Sequence, residues 1–189
     1  TETVEENARK GQQALRRAAD IAESRGIVGR QIDALVNLAW LHYYVLEDER
    51  ALSILQEARE LIPQEFYITE RGRPQIDRGE AVVPLLIQLG KIELLCGQIR
   101  FNEYQRRKDQ SSLEQAIEHY VLSLEYDTLA SDQVFRDMRR GMDRIYERLS
   151  TLSPQELADV GKMVGNIEKK YKLRESRMQQ FLRESYLML

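Results

Sequence analysis

Apolar side chains recur every three or four positions along nearly the whole chain, and the gaps between these runs are short. In residues 5–26, Leu15, Ala18, Ala19, Ile21 and Ala22 form one stripe, and Gly26 supplies a stop. A second helix is predicted over residues 28–46. There Ile32, Leu35, Leu38, Ala39 and His42 occupy one side, and Val36, Trp40, Tyr43 and Tyr44 another. So broad an apolar surface implies neighbours on more than one side. A third helix is predicted over residues 49–61, ending at Pro63.

The rhythm then breaks. Residues 62–80, "IPQEFYITERGRPQIDRGE", contain Gly72, Pro74 and Gly79 and have no helical period. A connection this long is either functional or a tolerated insertion. A long helix is predicted over residues 80–107, which requires Pro84 to fall in its first turn. Gly90 and Gly97 are seven apart, on nearly one face, where a neighbour can approach closely. The next helix starts with Ser111 and Glu114 as a capping box.

In the last third, Val134, Met138, Met142, Ile145 and Leu149 keep helical spacing. "SPQE" at 153–156 is a strong start signal: Ser153 as cap, Pro154 in the first position, Glu156 as reciprocal acceptor. Leu157, Val160, Val164, Ile167 and Tyr171 form a seam for a partner helix. A terminal helix is predicted over residues 173–187. No run of alternating β-branched residues appears, so the expected class is all-α, with about seven to eight helices.

Composition narrows the function classes. With 42% apolar and 31% charged residues, and only 10 Gly and 4 Pro, the chain reads as folded and helical. The net charge of −3 lacks the basic excess of a general nucleic-acid binder. The pairs Arg16–Arg17, Arg106–Arg107 and Arg139–Arg140 are either solvated helix faces or a local phosphate- or carboxylate-binding patch. Cys96 lies in an apolar run and reads as a small core residue in a reducing compartment. No uninterrupted stretch reaches 18 apolar residues, so no membrane span is expected. A cytoplasmic location follows from these two readings. Thr1 opens the chain without an initiator Met, and helical sequence starts within a few residues, as expected of a fragment of a longer protein.

Residues 32–63 resemble the tetratricopeptide repeat, a helix–turn–helix unit with large and small residues at fixed spacing. With Ile32 as the first position, Leu35 takes the usual Trp place, Leu38 the Leu, Ala39 the Gly and His42 the Tyr. Ala51, Leu55, Ala58 and Pro63 match the second half, and Asn37 fits an Asn often seen there. Gly11, Leu15 and Ala18 repeat the spacing of Ala51, Leu55 and Ala58, 40 residues earlier. "CGQIRF" resembles the next unit, with Cys96 replacing Leu and Arg100 replacing Tyr, followed by Ala116, Tyr120 and Ser123.

The resemblance implies an α–α superhelix of antiparallel helix pairs over residues 1–130, with the long loop at about 62–80. Residues 131–189 would then pack as a non-repeat cap. It further implies a non-catalytic scaffold holding a peptide or helix in a concave groove. Projected onto this chain, the groove takes Asp33, Val36, Trp40, Tyr43 and Tyr44, continued by Gln98, Phe101 and Tyr104, with charge from Arg100 and Arg106. Trp and Tyr suit such a role because they bury much area with few rotamers to freeze. Equally, these aromatics could pack on the neighbouring long helix. Val36 and Trp40 stand where chaperone-binding relatives carry their carboxylate clamp, so an acidic C-terminal tail is not the expected ligand. The partner is a protein or peptide, possibly in the same full-length chain. In that case the chain is a sensor or regulatory segment of a larger signalling protein carrying an ATPase, kinase or protease effector.

His42 and His119, the only histidines, have no companion at ligand spacing, so no metal site is expected. His42 reads as a packed histidine. No G-x-S-x-G, Cys–His or phosphate-loop motif is present. Glu47–Asp48–Glu49 fall at a helix turn, where capping and solvation explain them. No enzyme and no cofactor are expected.

Overall fold

The computed structural model describes residues 3–76, 82–130 and 135–184, with side chains described for all but 135–139. The protein is all-α. Among the described residues there are eight α-helices and no strand, and the sole β feature is an isolated Thr69–Gly72 bridge. The chain divides into two compact units, Thr1–Pro63 and Gln64–Leu189.

The first unit holds α1 (Val4–Ser24), α2 (Val28–Tyr44) and α3 (Asp48–Glu60). Helix α1 opens on a capping box that sequence analysis overlooked: Glu6 N–H donates to Thr3 Oγ1, and Thr3 N–H donates to Glu6 Oε2. It closes as anticipated at Gly26, whose φ of +65° lets Ile27 N–H reach back to the Ala22 carbonyl. Helix α2 packs on both α1 and α3, which accounts for its two apolar sides. Ala39, Ala51 and Ala58 are fully buried, and a Cβ on Gly11 would lie 2.8 Å from Leu41 Cδ2. Small residues mark the close approaches.

The second unit begins with residues 64–76, where a 3-10 turn (Gln64–Phe66) and the Thr69–Gly72 bridge form an ordered strap. Its helices are α4 (Val82–Arg107), α5 (Gln110–Ala130), α6 (Phe135–Leu149), α7 (Pro154–Lys170) and α8 (Arg177–Glu184). Pro84 lies in the first described turn of α4. Helices α4 and α5 cross very closely. A Cβ on Gly97 would lie 2.5 Å from the Tyr120 ring, and one on Gly90 would lie 2.6 Å from Asp127 Oδ1. The predicted glycine face therefore does admit a neighbour.

The α5 start differs from expectation. Asp109, not Ser111, supplies the cap, accepting the Ser112 N–H at 2.9 Å and the Ser112 hydroxyl at 2.8 Å. Ser153, Pro154 and Glu156 cap α7 as predicted. The α7 seam is buried at Val160, Val164, Ile167 and Tyr171, and its partners are α5 and α8. The C-terminal helix starts at Arg177 and not at the expected 173, because Lys172 at φ +51° ends α7 and Leu173 N–H bonds the Glu168 carbonyl. Residues 131–134, including Val134, the Met138 side chain and residues 185–189 lie outside the description.

Helix α4 is the most apolar of the described helices long enough to be compared with a membrane span. By length and composition it would suffice to cross a bilayer, although no run of 18 apolar residues is unbroken. Within its most apolar window 61% is buried inside the chain, as in the core helix of a globular protein.

The α4–α5 crossing yields a direct test. Gly97→Ala should destabilise the second unit by about 1–3 kcal/mol through overpacking against Tyr120. That outweighs the roughly 1 kcal/mol that Ala adds as a helix former. Gly165→Ala, where nothing lies within 4 Å, should stabilise by up to about 1 kcal/mol. Urea unfolding followed by circular dichroism compares them, and an unaffected Gly97→Ala protein would contradict the close crossing.

Candidate functional site

Positions 40, 43 and 44 lie on one face of α2, because residues three and four apart are helical neighbours. The structure brings them together. Trp40, Tyr43 and Tyr44 form a closed triangle with every centroid separation 5.7 Å, the Trp40–Tyr43 pair being edge-to-face. Trp40 and Tyr43 are half-buried, whereas Tyr44 is 59% exposed.

The helix ends just beyond this triangle in an unusual way. Leu46 takes the left-handed position with φ +63°, and Glu47 N–H closes the turn on the His42 carbonyl at 2.9 Å. Glycine normally fills that place, and an L side chain there costs roughly 1–2 kcal/mol. Leu46 is nevertheless 86% exposed. The apolar period predicts a helix through residue 46, whereas α2 ends at Tyr44 and leaves Leu46 in the turn. The missing glycine was the available signal.

A polar clamp fixes the same turn from behind. His42 Nδ1 donates to Glu47 Oε2 at 2.5 Å, and Gln12 Nε2 donates to the same oxygen at 3.2 Å. The His42 hydrogen bond holds the Glu47 carboxyl below the usual carboxylate range, while burial pulls the other way. His42 is thus a packed histidine, as expected, with a positioning partner. The result is a rigid, partly apolar helix end carrying two exposed hydrophobic side chains.

The remaining expected groove residues are placed differently. Asp33 is half-buried on α2, and Val36 is buried. Gln98, Phe101 and Tyr104 do not continue an open surface: all three are buried in the second unit. Phe101 stacks 5.9 Å from Tyr104 and 6.5 Å from Tyr120, so its face is used by the core. The Gln98 carbonyl accepts from Arg148 Nε at 2.8 Å. Arg100 pairs with Glu103 at 2.7 Å, and Arg106 is exposed.

Tyr104 illustrates the internal role. Its hydroxyl donates to Glu156, which also closes the α7 capping box with Ser153. The Tyr104 bond, helped by Ser153, pulls the Glu156 carboxyl down to about 2. Burial, then the hydrogen bond to Glu156 and its charge, pushes the Tyr104 hydroxyl up to about 12. Elsewhere, Glu93 is buried in α4 and meets His119 Nδ1 at 2.6 Å. Cys96 is buried, as a core residue should be. Among the described residues, no group of three or more His, Cys, Asp or Glu side chains is arranged to hold a metal ion.

The Tyr104–Glu156 bond has a pH signature. Because the folded Glu156 pKa is depressed, its stabilisation is complete above pH 4.5 and is lost as pH falls toward about 2. Because the folded Tyr104 pKa is raised, the same bond persists below pH 10 and is lost as pH rises toward about 12. Ultraviolet difference titration should therefore show a tyrosine ionisation near pH 12 that is lost in Tyr104→Phe. Loss of that tyrosine should also flatten acid unfolding between those lower limits. Identical titration curves for parent and variant would contradict the assignment.

No family model, curated protein or solved structure matches this chain.

Proposed function

We propose that this chain is a non-catalytic interaction scaffold, built of tetratricopeptide-like helical hairpins, that holds a peptide or helix of a protein partner at the end of α2. The observation that carries the reading is Leu46, a leucine in the left-handed region that is 86% exposed. Folding gains little from such a side chain, since glycine would relieve the strain and remove an exposed apolar group. Beside it, the Trp40–Tyr43–Tyr44 triangle offers large, rigid anchors of the kind that concentrate binding energy. The alanines buried in α2 and α3 support the helical-hairpin comparison, because they stand where the repeat pattern needs close approach.

Selection of a random peptide display library on the whole chain tests this reading. Trp40 is the only tryptophan, so its emission reports directly on the site. Selected peptides should shift that emission and lose at least about tenfold in affinity on Leu46→Gly or Tyr44→Ala. In the same experiment Leu46→Gly should raise unfolding stability by about 1 kcal/mol, separating lost binding from lost folding. Peptides that bind without changing Trp40 emission, and equally well to both variants, would overturn the proposal.

A further inference from the structure

Residues 64–76 lack helical period, yet they are tied down by one buried carboxylate. Glu125 in α5 has no exposed surface. Its Oε2 accepts Arg73 Nε at 2.9 Å and Arg73 Nη2 at 2.5 Å. Its Oε1 accepts the backbone N–H of Arg177 at 2.8 Å, from the first residue of α8. One side chain therefore holds the strap with one oxygen and caps a helix with the other.

We propose that the strap and α8 form a single latch, keyed by Glu125, whose two halves open together. A buried carboxylate is tolerated only while its charge is paired and its lone pairs are filled. If Arg73 leaves, the remaining donor is a single amide, and solvating the charge requires water to enter where the strap or α8 lies. The described part of α8 spans eight residues, too few to persist without tertiary support. Its first amide is one of the donors no intrahelical carbonyl can satisfy, and a carboxylate there also opposes the helix dipole favourably.

The strap side is similarly dependent. The Ile68 N–H donates to the Tyr126 hydroxyl at 2.8 Å, and Tyr126 adjoins Glu125 in α5. Phe66 and Ile68 are buried, so the strap lifts only by exposing them. Access is asymmetric: the Arg73 side chain is 43% exposed, and it lines a hollow of about 690 Å³ with Tyr67, Glu70 and Arg71. A competitor for Arg73 can reach the latch from the strap side, while α8 feels the release through Glu125.

Native-state hydrogen exchange read by mass spectrometry tests this on the unmodified chain. In rising guanidinium, peptides covering residues 64–76 and 177–184 should converge on one opening free energy and one denaturant slope. Arg73→Ala should then speed exchange on the order of tenfold or more in both segments. Glu175→Ala, which breaks only the exposed Arg183–Glu175 pair, should leave the strap unchanged. Separate opening isotherms in the unmodified protein would overturn the latch. So would an Arg73→Ala variant whose faster exchange stops at residue 76. If Arg73→Ala does not fold, the isotherms of the unmodified chain decide alone.

Discussion

Gly97 against the Tyr120 ring sets the distance between α4 and α5, and the second unit is organised around that spacing. Two helices this close leave no room for water between them. Polar side chains buried in the seam pair across it. Glu93 finds His119, and the Ser123 hydroxyl donates to the Gly90 carbonyl. These pairs step back along α5 as α4 advances, as an antiparallel register requires. A helix apolar enough to cross a bilayer thereby becomes the core of a globular unit.

The same logic governs how α7 and α8 attach. Tyr104 of α4 reaches the capping glutamate of α7, Glu118 of α5 accepts from Lys170 and Tyr171, and Glu125 caps α8. Each bond joins residues about 50 positions apart in sequence, with partners numbered 52 or 53 apart. Apolar burial of Val160, Val164, Ile167, Phe181 and Leu182 provides the nonspecific attraction, and these polar contacts fix the register. The first unit is held differently, with alanine-lined crossings and one clamp at the His42–Glu47 turn.

Local signals in the sequence were legible. Ser153–Pro154–Glu156 and Gly26 each announce a helix end through chemistry contained within a few residues, and both are found where read. The α5 start was misplaced by two local candidates competing: Asp109 and Ser111 are both good caps, and the carboxylate takes the amide. The end of α2 before Leu46 was hidden because Leu46 is not the glycine such a conformation prefers. The site was legible only in part. Spacing brought Trp40, Tyr43 and Tyr44 together, but it could not show that Phe101 and Tyr104 face Tyr120 and Glu156. The Arg73–Glu125 pairing joins residues 52 apart and has no local signature at all.

What unites the first unit's odd features is that they fall on one helix end: three clustered rings, a strained exposed leucine and a clamp that keeps the turn rigid. The most direct measurement is a nuclear magnetic resonance titration of the labelled chain with a peptide selected on it, following the Trp40 indole and the Leu46 methyl groups. The account predicts that these resonances and those of Tyr44 move first and furthest, with saturation matching the binding curve. Saturated binding that leaves them in place, with the changes gathered on another surface, would contradict it.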